Sequence, residues 1–143
     1  MIDFGHVGIK MTRSYRKGSS LVSCTVVLVA FFMGAVAVAN PSNKWRLQFS
    51  GGSDSDGEIV LQFSPEGGEE FTIHIPVPAD ESENSVAKIV TGVLREKLPS
   101  DAFHVERDDG EDVLIKRKWG AANFALRVVS NSVKNVRINS DRE

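Results

Sequence analysis

Apolar and polar residues alternate along three segments in the part of the chain that follows residue 44. The segments cover residues 45–50, 58–64 and 71–77. A period of two is typical of a strand with one buried face. Turn-forming sequences rich in glycine separate the segments at 51–57 and 65–68. The pattern therefore predicts three strands that form an antiparallel meander.

The period changes to that of a helix between residues 82 and 98. The apolar positions recur every three or four residues, at Val86, Ile89, Val90, Val93, Leu94 and Leu98. Such spacing places these side chains on one face of an amphipathic helix, and Pro99 ends it. One helix cannot bury its apolar face alone, so we expect it to pack on the sheet.

Shorter apolar alternations follow the helix. They cover residues 103–105, 113–117, 124–128 and 133–138. The sequence Asp108-Asp109-Gly110 predicts a tight turn between the first two. The predicted fold class is therefore α+β: an antiparallel meander, one amphipathic helix packed on the sheet, and then further antiparallel strands.

A long apolar run near the N-terminus differs in character from the rest of the chain. Residues 21–39 contain no charged side chain. Basic residues precede the run, at Arg13, Arg16 and Lys17, and small residues end it, at Ala37 and Ala39. A basic region, an apolar region and an Ala-x-Ala exit together indicate a secretory signal peptide.

We predict that residues 1–39 are this signal peptide, with translation starting at Met11 and cleavage following Ala39. Residues 40–143 are then one small α+β domain, and the protein is periplasmic or secreted. The alternative is an uncleaved anchor, because the run is just long enough to cross about 30 Å of hydrocarbon as a helix. In that case the protein is anchored in the inner membrane with the domain outside, and only then is the membrane a partner.

The charges of the domain are segregated along the sequence. Removing residues 1–39 takes four basic side chains and one acidic side chain from the 17 and 19 of the whole chain, which leaves a net charge of −5. No Lys or Arg occurs in residues 47–87, and no Asp or Glu occurs in residues 113–140. An exported domain with this net charge is a poor nucleic-acid binder, so the sequence argues against nucleic acid as a partner.

Two groups of residues are candidates for binding surfaces. The basic group consists of Lys116, Arg117, Lys118, Trp119, Lys134 and Arg137, and the acidic group of Asp54, Asp56 and Glu58. If a neighbouring strand brings the last two basic residues beside the first four, a cationic patch forms around an indole. We therefore predict an exported, non-catalytic interaction module of the cell envelope or secretome, which binds a protein partner or itself through these surfaces. The basic group also fits an anionic envelope polymer.

The sequence carries no catalytic signature and indicates no cofactor. Its only cysteine, Cys24, lies in the predicted leader, so the domain can form no internal disulfide. His74 and His104 are too few for a zinc site, and the turn at 51–57 lacks two ligands of a calcium loop, so no metal is predicted. The alternative function is a small periplasmic enzyme that acts on an envelope glycan or peptide with His104 and Glu106.

Overall fold

Seven strands and one helix make up residues 40–143, the part of the chain that this computed structural model describes. In chain order they are β1 (Lys44–Ser50), β2 (Gly57–Pro65), β3 (Phe71–Val77), α1 (Glu83–Lys97), β4 (Phe103–Asp108), β5 (Asp112–Arg117), β6 (Phe124–Asn131) and β7 (Arg137–Arg142). The first three strands and the helix match the predicted elements to within one residue at each end. The predicted signal peptide, residues 1–39, lies outside the described residues.

The strands form two sheets, and every strand pair in them is antiparallel. One sheet has the order β4-β5-β1-β7, and the other has the order β3-β2-β6. The last predicted strand is shifted: β7 begins at Arg137, because the chain turns before it, with Asn135 at a φ of 67°. Val133 and Val136 are buried in this connection. The fold is nevertheless α+β, as predicted.

The predicted three-stranded meander does not form, because β1 lies in the other sheet. It pairs with β5 and β7, whereas β2 pairs with β3 and β6. The loop at 51–57 carries the chain from one sheet to the other, and the apolar residues of β1 and β2 join the same core. The alternation of apolar and polar residues identifies a strand and its buried face. It does not determine which other strand pairs with it.

Helix α1 begins with a side-chain cap and covers the core beside the outer strands. The Ser82 Oγ accepts a hydrogen bond from the Ser85 N–H at 3.2 Å. The fully buried side chains of α1 are Val86, Ala87, Val90 and Leu94. The helix contacts β3 and β4, which are edge strands of the two different sheets. Within residues 40–143, no helix is long and apolar enough to cross a membrane.

Aromatic side chains join the two sheets. The ring of Phe103, on β4, meets the ring of Phe124, on β6, edge to face with ring centres 5.1 Å apart. Trp45 of β1 is buried, and its Nε1–H donates a hydrogen bond of 2.8 Å to the carbonyl of Phe124. These contacts hold the start of β1 and of β4 against the other sheet. They thereby position the turn at residues 118–121, which follows β5.

Candidate functional site

The six residues of the predicted basic group do not lie together. Lys116 pairs with Lys44 at the first residue of β1, whereas Arg137 pairs with Ser50 at its last. Six residues of strand separate these two positions by about 20 Å. Lys134 lies at the far end as well, where its backbone N–H donates to Ser55. The cationic patch expected from the sequence is therefore divided between the two ends of β1.

Two of the four residues in the run 116–119 are occupied by contacts within the domain. The Nζ of Lys116 contacts the carboxylate of Glu106. Arg117 donates from Nε to the side-chain oxygen of Asn123 at 2.8 Å and from Nη1 to the carbonyl of Ala121 at 3.1 Å. Arg117 therefore braces the turn that follows it instead of facing a partner.

Lys118 and Trp119 remain exposed at this turn. Trp119 has 99% of its surface accessible, whereas the other tryptophan of the chain is 5% accessible. The turn itself is held by hydrogen bonds from the Lys118 N–H to the Ala102 carbonyl, at 2.7 Å, and from the Ala121 N–H to the Lys118 carbonyl, at 3.1 Å. The indole thus projects from a backbone that is fixed to the rest of the domain. We call residues 118–121 the Trp119 turn.

Two cavities lie between α1 and the edge strand β4. The first, of about 270 Å³, is lined by Leu94, Arg95, Leu98, Ser100, Phe103, His104, Val105 and Lys118. The second, of about 510 Å³, is lined by Lys88, Thr91, Gly92, Arg95, Glu106 and Arg107. Arg95 lines both cavities, and Lys118, which lines the first, is the first residue of the Trp119 turn. We call the two cavities together the α1–β4 groove.

The α1–β4 groove is strongly cationic. Its permanently charged basic residues are Lys88, Arg95, Arg107 and Lys118, and its only acidic residue is Glu106. Hydrogen bonds from Lys116 and then from His104 lower the pKa of Glu106 below its usual value, so this carboxylate is ionised and already has partners. None of the four basic residues forms an ion pair with another residue of the described domain. These four cations are therefore free of direct ion pairs within the described domain.

Sequence reasoning missed three of these four cations. Lys88 and Arg95 are seven residues apart, which is about two helical turns, so they lie on the same side of α1. This spacing could have predicted that Lys88 and Arg95 lie on one side of the helix. The position of Arg107 beside them depends on how β4 lies along the helix, which no local pattern in the sequence reveals. Only Lys118 belonged to the predicted basic group.

The acidic group is used mainly for internal contacts. An Asp56 carboxylate oxygen accepts a hydrogen bond from the Ala79 N–H at 2.8 Å, and Glu58 contacts the His74 ring at 2.9 Å. The side chain of Asp54 is exposed, while its N–H donates to the Lys134 carbonyl at 3.1 Å. The loop at 51–57 is thus tied to two neighbouring segments, and its acids are less available than the sequence suggests.

His104 and Glu106, the candidates for acid–base chemistry, lie on the same face of β4. The His104 Nε2 and a Glu106 oxygen are 3.2 Å apart, and 54% and 36% of the two side chains are exposed. A general acid at neutral pH needs a raised carboxyl pKa, whereas Lys116 and His104 lower the pKa of Glu106. Within residues 40–143, no three His, Cys, Asp or Glu side chains are grouped so that they could hold a metal ion.

A second set of charges lies at the start of β1 and the end of β7. Arg46 contacts the carboxylates of Asp112 and Glu143, and Lys44 also contacts Glu143. Lys44 first and Arg46 second lower the pKa of Glu143, while Glu143 first and Asp112 second raise the pKa of Arg46. These charges neutralise one another, so they are less available to a partner than the Trp119 turn and the basic residues of the α1–β4 groove.

Comparison with known proteins gives no independent indication of function. No protein-family model matches the chain, and no curated protein is similar enough to be a relative. What residues 40–143 can do therefore follows from their geometry alone: they present an indole and a cationic groove.

Proposed function

We propose that residues 40–143 are an exported, non-catalytic interaction module of the cell envelope or secretome that binds a protein partner. The observation that carries this proposal is Trp119, which is 99% exposed on a turn whose backbone is hydrogen bonded. Tryptophan is the side chain most enriched among residues that dominate protein interfaces. A partner that covers this indole gains apolar burial that the domain itself leaves unused.

The fixed backbone of the Trp119 turn supports this proposal. Ordering a mobile loop on binding costs conformational entropy, and a turn that is already ordered avoids that cost. The side chain of Arg117 adds two hydrogen bonds beneath the turn, and the Lys118 N–H adds one from the side. The backbone that carries Trp119 is therefore ordered before a partner binds.

Self-association is less well supported than binding to a different protein. It would need the acidic group of one copy to meet the basic group of the next. Asp56 and Glu58 are already bonded to Ala79 and His74, and the basic group is divided between two ends of the domain. Neither the acidic group nor the basic group is available as a whole. A contact between the acidic group of one copy and the basic group of another is therefore weak.

The enzyme alternative rests on His104 and Glu106, and their environment argues against it. Both line the α1–β4 groove, but Glu106 is held ionised by Lys116. A carboxylate with a lowered pKa is a weak base as well as an unavailable acid at neutral pH. The same groove is better suited to hold an anionic group than to transfer a proton.

The test is mild cross-linking of the full-length protein in its native envelope, followed by affinity capture and mass spectrometry. We expect one stoichiometric protein partner, and we expect Trp119→Ala to reduce its recovery at least about tenfold, since a residue that dominates an interface contributes about 2 kcal/mol. Val129→Ala is the matched control, because Val129 is also an exposed apolar residue, at 48%, but lies on β6. Equal recovery with Trp119→Ala, or recovery of the bare protein alone, contradicts the proposal.

A further inference from the structure

We infer that the α1–β4 groove binds an extended acidic segment of the partner protein, which leaves the groove over Trp119. This inference rests on the proposed function and specifies the chemistry of the partner. The groove is lined by four basic side chains without acidic partners in the described domain, and its one carboxylate is already paired with Lys116. An oppositely charged occupant restores the balance of charge that the groove lacks.

The basic residues are spread over a distance that a short extended chain covers. Lys88 and Arg95 are seven residues apart on α1, which is about 10 Å along the helix axis. In an extended peptide, every second side chain faces the same way, at intervals of about 7 Å. Acidic side chains at alternate positions can therefore all face the cations of the groove.

The floor of the groove limits how the occupant is recognised. Leu94, Leu98 and Phe103 lie beneath the cations but are buried, so they offer an occupant almost no apolar surface. The Arg95 Nε–H donates to the Val105 carbonyl at 2.9 Å, which occupies a backbone acceptor on the free edge of β4. The Arg95 side chain therefore obstructs a peptide that would add a strand to the sheet at this position. Recognition then depends on side-chain charge.

The proposed function favours an acidic peptide over other polyanions. A polysaccharide or a lipid headgroup also satisfies the cations, but the partner that covers Trp119 is a protein. The residues that follow the acidic segment can reach the indole of Trp119 from the end that Lys118 lines. A second copy of this chain is disfavoured because its acidic loop is bonded internally.

The experiment measures fluorescence anisotropy of a labelled peptide of about ten residues, with Glu at alternate positions and Ala between them, upon titration with the full-length protein. A peptide with Gln in place of Glu is the first control. We expect a Kd below about 1 mM that rises with salt, and no saturation with the Gln peptide. No binding up to that concentration, or equal binding of both peptides, overturns the inference.

Charge-reversal variants locate the site. Lys88→Glu and Lys118→Glu should each raise the Kd about tenfold, because each replaces an attraction by a repulsion. Lys97→Glu is the matched control: Lys97 is an exposed lysine of the same helix that does not line the groove. An equal effect of Lys97→Glu means that only net charge matters, and this result also overturns the inference. So does tighter binding of chondroitin sulfate or of phosphatidylglycerol vesicles than of the Glu peptide.

The same variants separate this inference from the proposed function. If Trp119→Ala abolishes capture of the native partner while Lys88→Glu and Lys118→Glu do not reduce it, the interaction module stands and the acidic-segment inference fails. If all three variants leave capture unchanged, the proposed function is contradicted, and the acidic-segment inference that rests on it is contradicted as well.

Discussion

The loop at residues 51–57 and the Trp119 turn lie at opposite ends of β1, and they use their polar groups in different ways. The loop follows Ser50, the last residue of β1. The turn follows β5, whose residue Lys116 pairs with Lys44, the first residue of β1. In the loop, Ser53 is buried and bonds the segment before α1 through both its backbone and its hydroxyl group. In the turn, the backbone is bonded but the side chains of Lys118 and Trp119 face solvent.

The difference shows that exposure, and not charge content, separates a structural loop from a candidate binding site. Both segments look polar and surface-located in the sequence. The loop connects the two sheets, so its donors and acceptors have internal partners, and losing one of them leaves a buried group unsatisfied. The turn leaves its largest apolar side chain without any cover. Substitutions should therefore affect stability at the loop and binding at the turn.

The largest expected effect comes from adding one methyl group to a glycine in each region. Gly51 and Gly120 have similar backbone angles, with φ of 81° and 84°. A Cβ at Gly51 would collide with the backbone carbonyl oxygen of Asn135, whereas a Cβ at Gly120 would meet no atom within 4 Å. We expect Gly51→Ala to destabilise the domain by about 3 kcal/mol and Gly120→Ala by about 1 kcal/mol, in urea unfolding of both variants.

The matched backbone angles make this pair informative. The strain of a left-handed conformation is common to both substitutions, so the difference between them measures the collision alone. Equal destabilisation would mean that the loop moves away from Asn135 at little cost. The contrast between a fixed loop and an open turn would then be lost.

The second effect concerns the buried hydroxyl group of the loop. The Ser53 Oγ donates to the Pro78 carbonyl at 2.7 Å and accepts from the Glu81 N–H at 2.9 Å. Ser53→Ala removes both bonds and leaves the partners without a replacement, which should cost about 2 kcal/mol in free energy of unfolding. Ser55→Ala is the control, since Ser55 is less buried and its hydroxyl group accepts one bond from the Lys134 N–H. A larger loss for Ser55→Ala than for Ser53→Ala would contradict this account of the loop.

The third prediction concerns the turn and expects almost no change in stability. Trp119→Ala removes a side chain that has no cover, so its free energy of unfolding should change by less than about 0.5 kcal/mol. Trp45 remains as the only tryptophan and reports on the core, where its Nε1–H is bonded to Phe124. Emission of Trp119→Ala should be shifted to the blue relative to the natural protein. A loss of stability above about 1 kcal/mol would show that the indole packs against the domain.

Most of the secondary structure could be predicted from local pattern, but sheet membership could not. The alternation of Trp45, Leu47 and Phe49 identifies β1 and its buried face, and the spacing from Val86 to Leu98 identifies α1. The partners of β1 are β5 and β7, which follow it by more than sixty residues. Pairing over such a distance depends on how the whole core packs, and a strand pattern alone carries no information about it.

The candidate site could be predicted only where it is continuous in sequence. Lys118 and Trp119 are neighbours, so their type and order mark them as a possible surface. The α1–β4 groove combines a helix with a strand and a turn, and its charge emerges only when Lys88, Arg95 and Arg107 are placed together. Lys134 and Arg137 show the converse error: the prediction required a neighbouring strand to bring them beside the basic run, but they lie at the other end of β1.

The smallest expected effect lies in the ion pairs at the turn end of β1. Lys44 and then Arg46 lower the pKa of Glu143 below its ordinary value of 4.5. A carboxyl group with a lowered folded-state pKa stabilises the fold above the unfolded-state pKa, and this contribution is lost as the pH falls through the folded-state pKa. Glu143→Gln should therefore melt at a slightly lower temperature at pH 7, and its melting temperature should fall less between about pH 5 and pH 3. Parallel pH profiles would mean that these exposed pairs add nothing. In either case the backbone N–H groups of Ser53 and Glu81, whose hydrogen bonds join neutral groups, should keep their protection from amide exchange over this pH range.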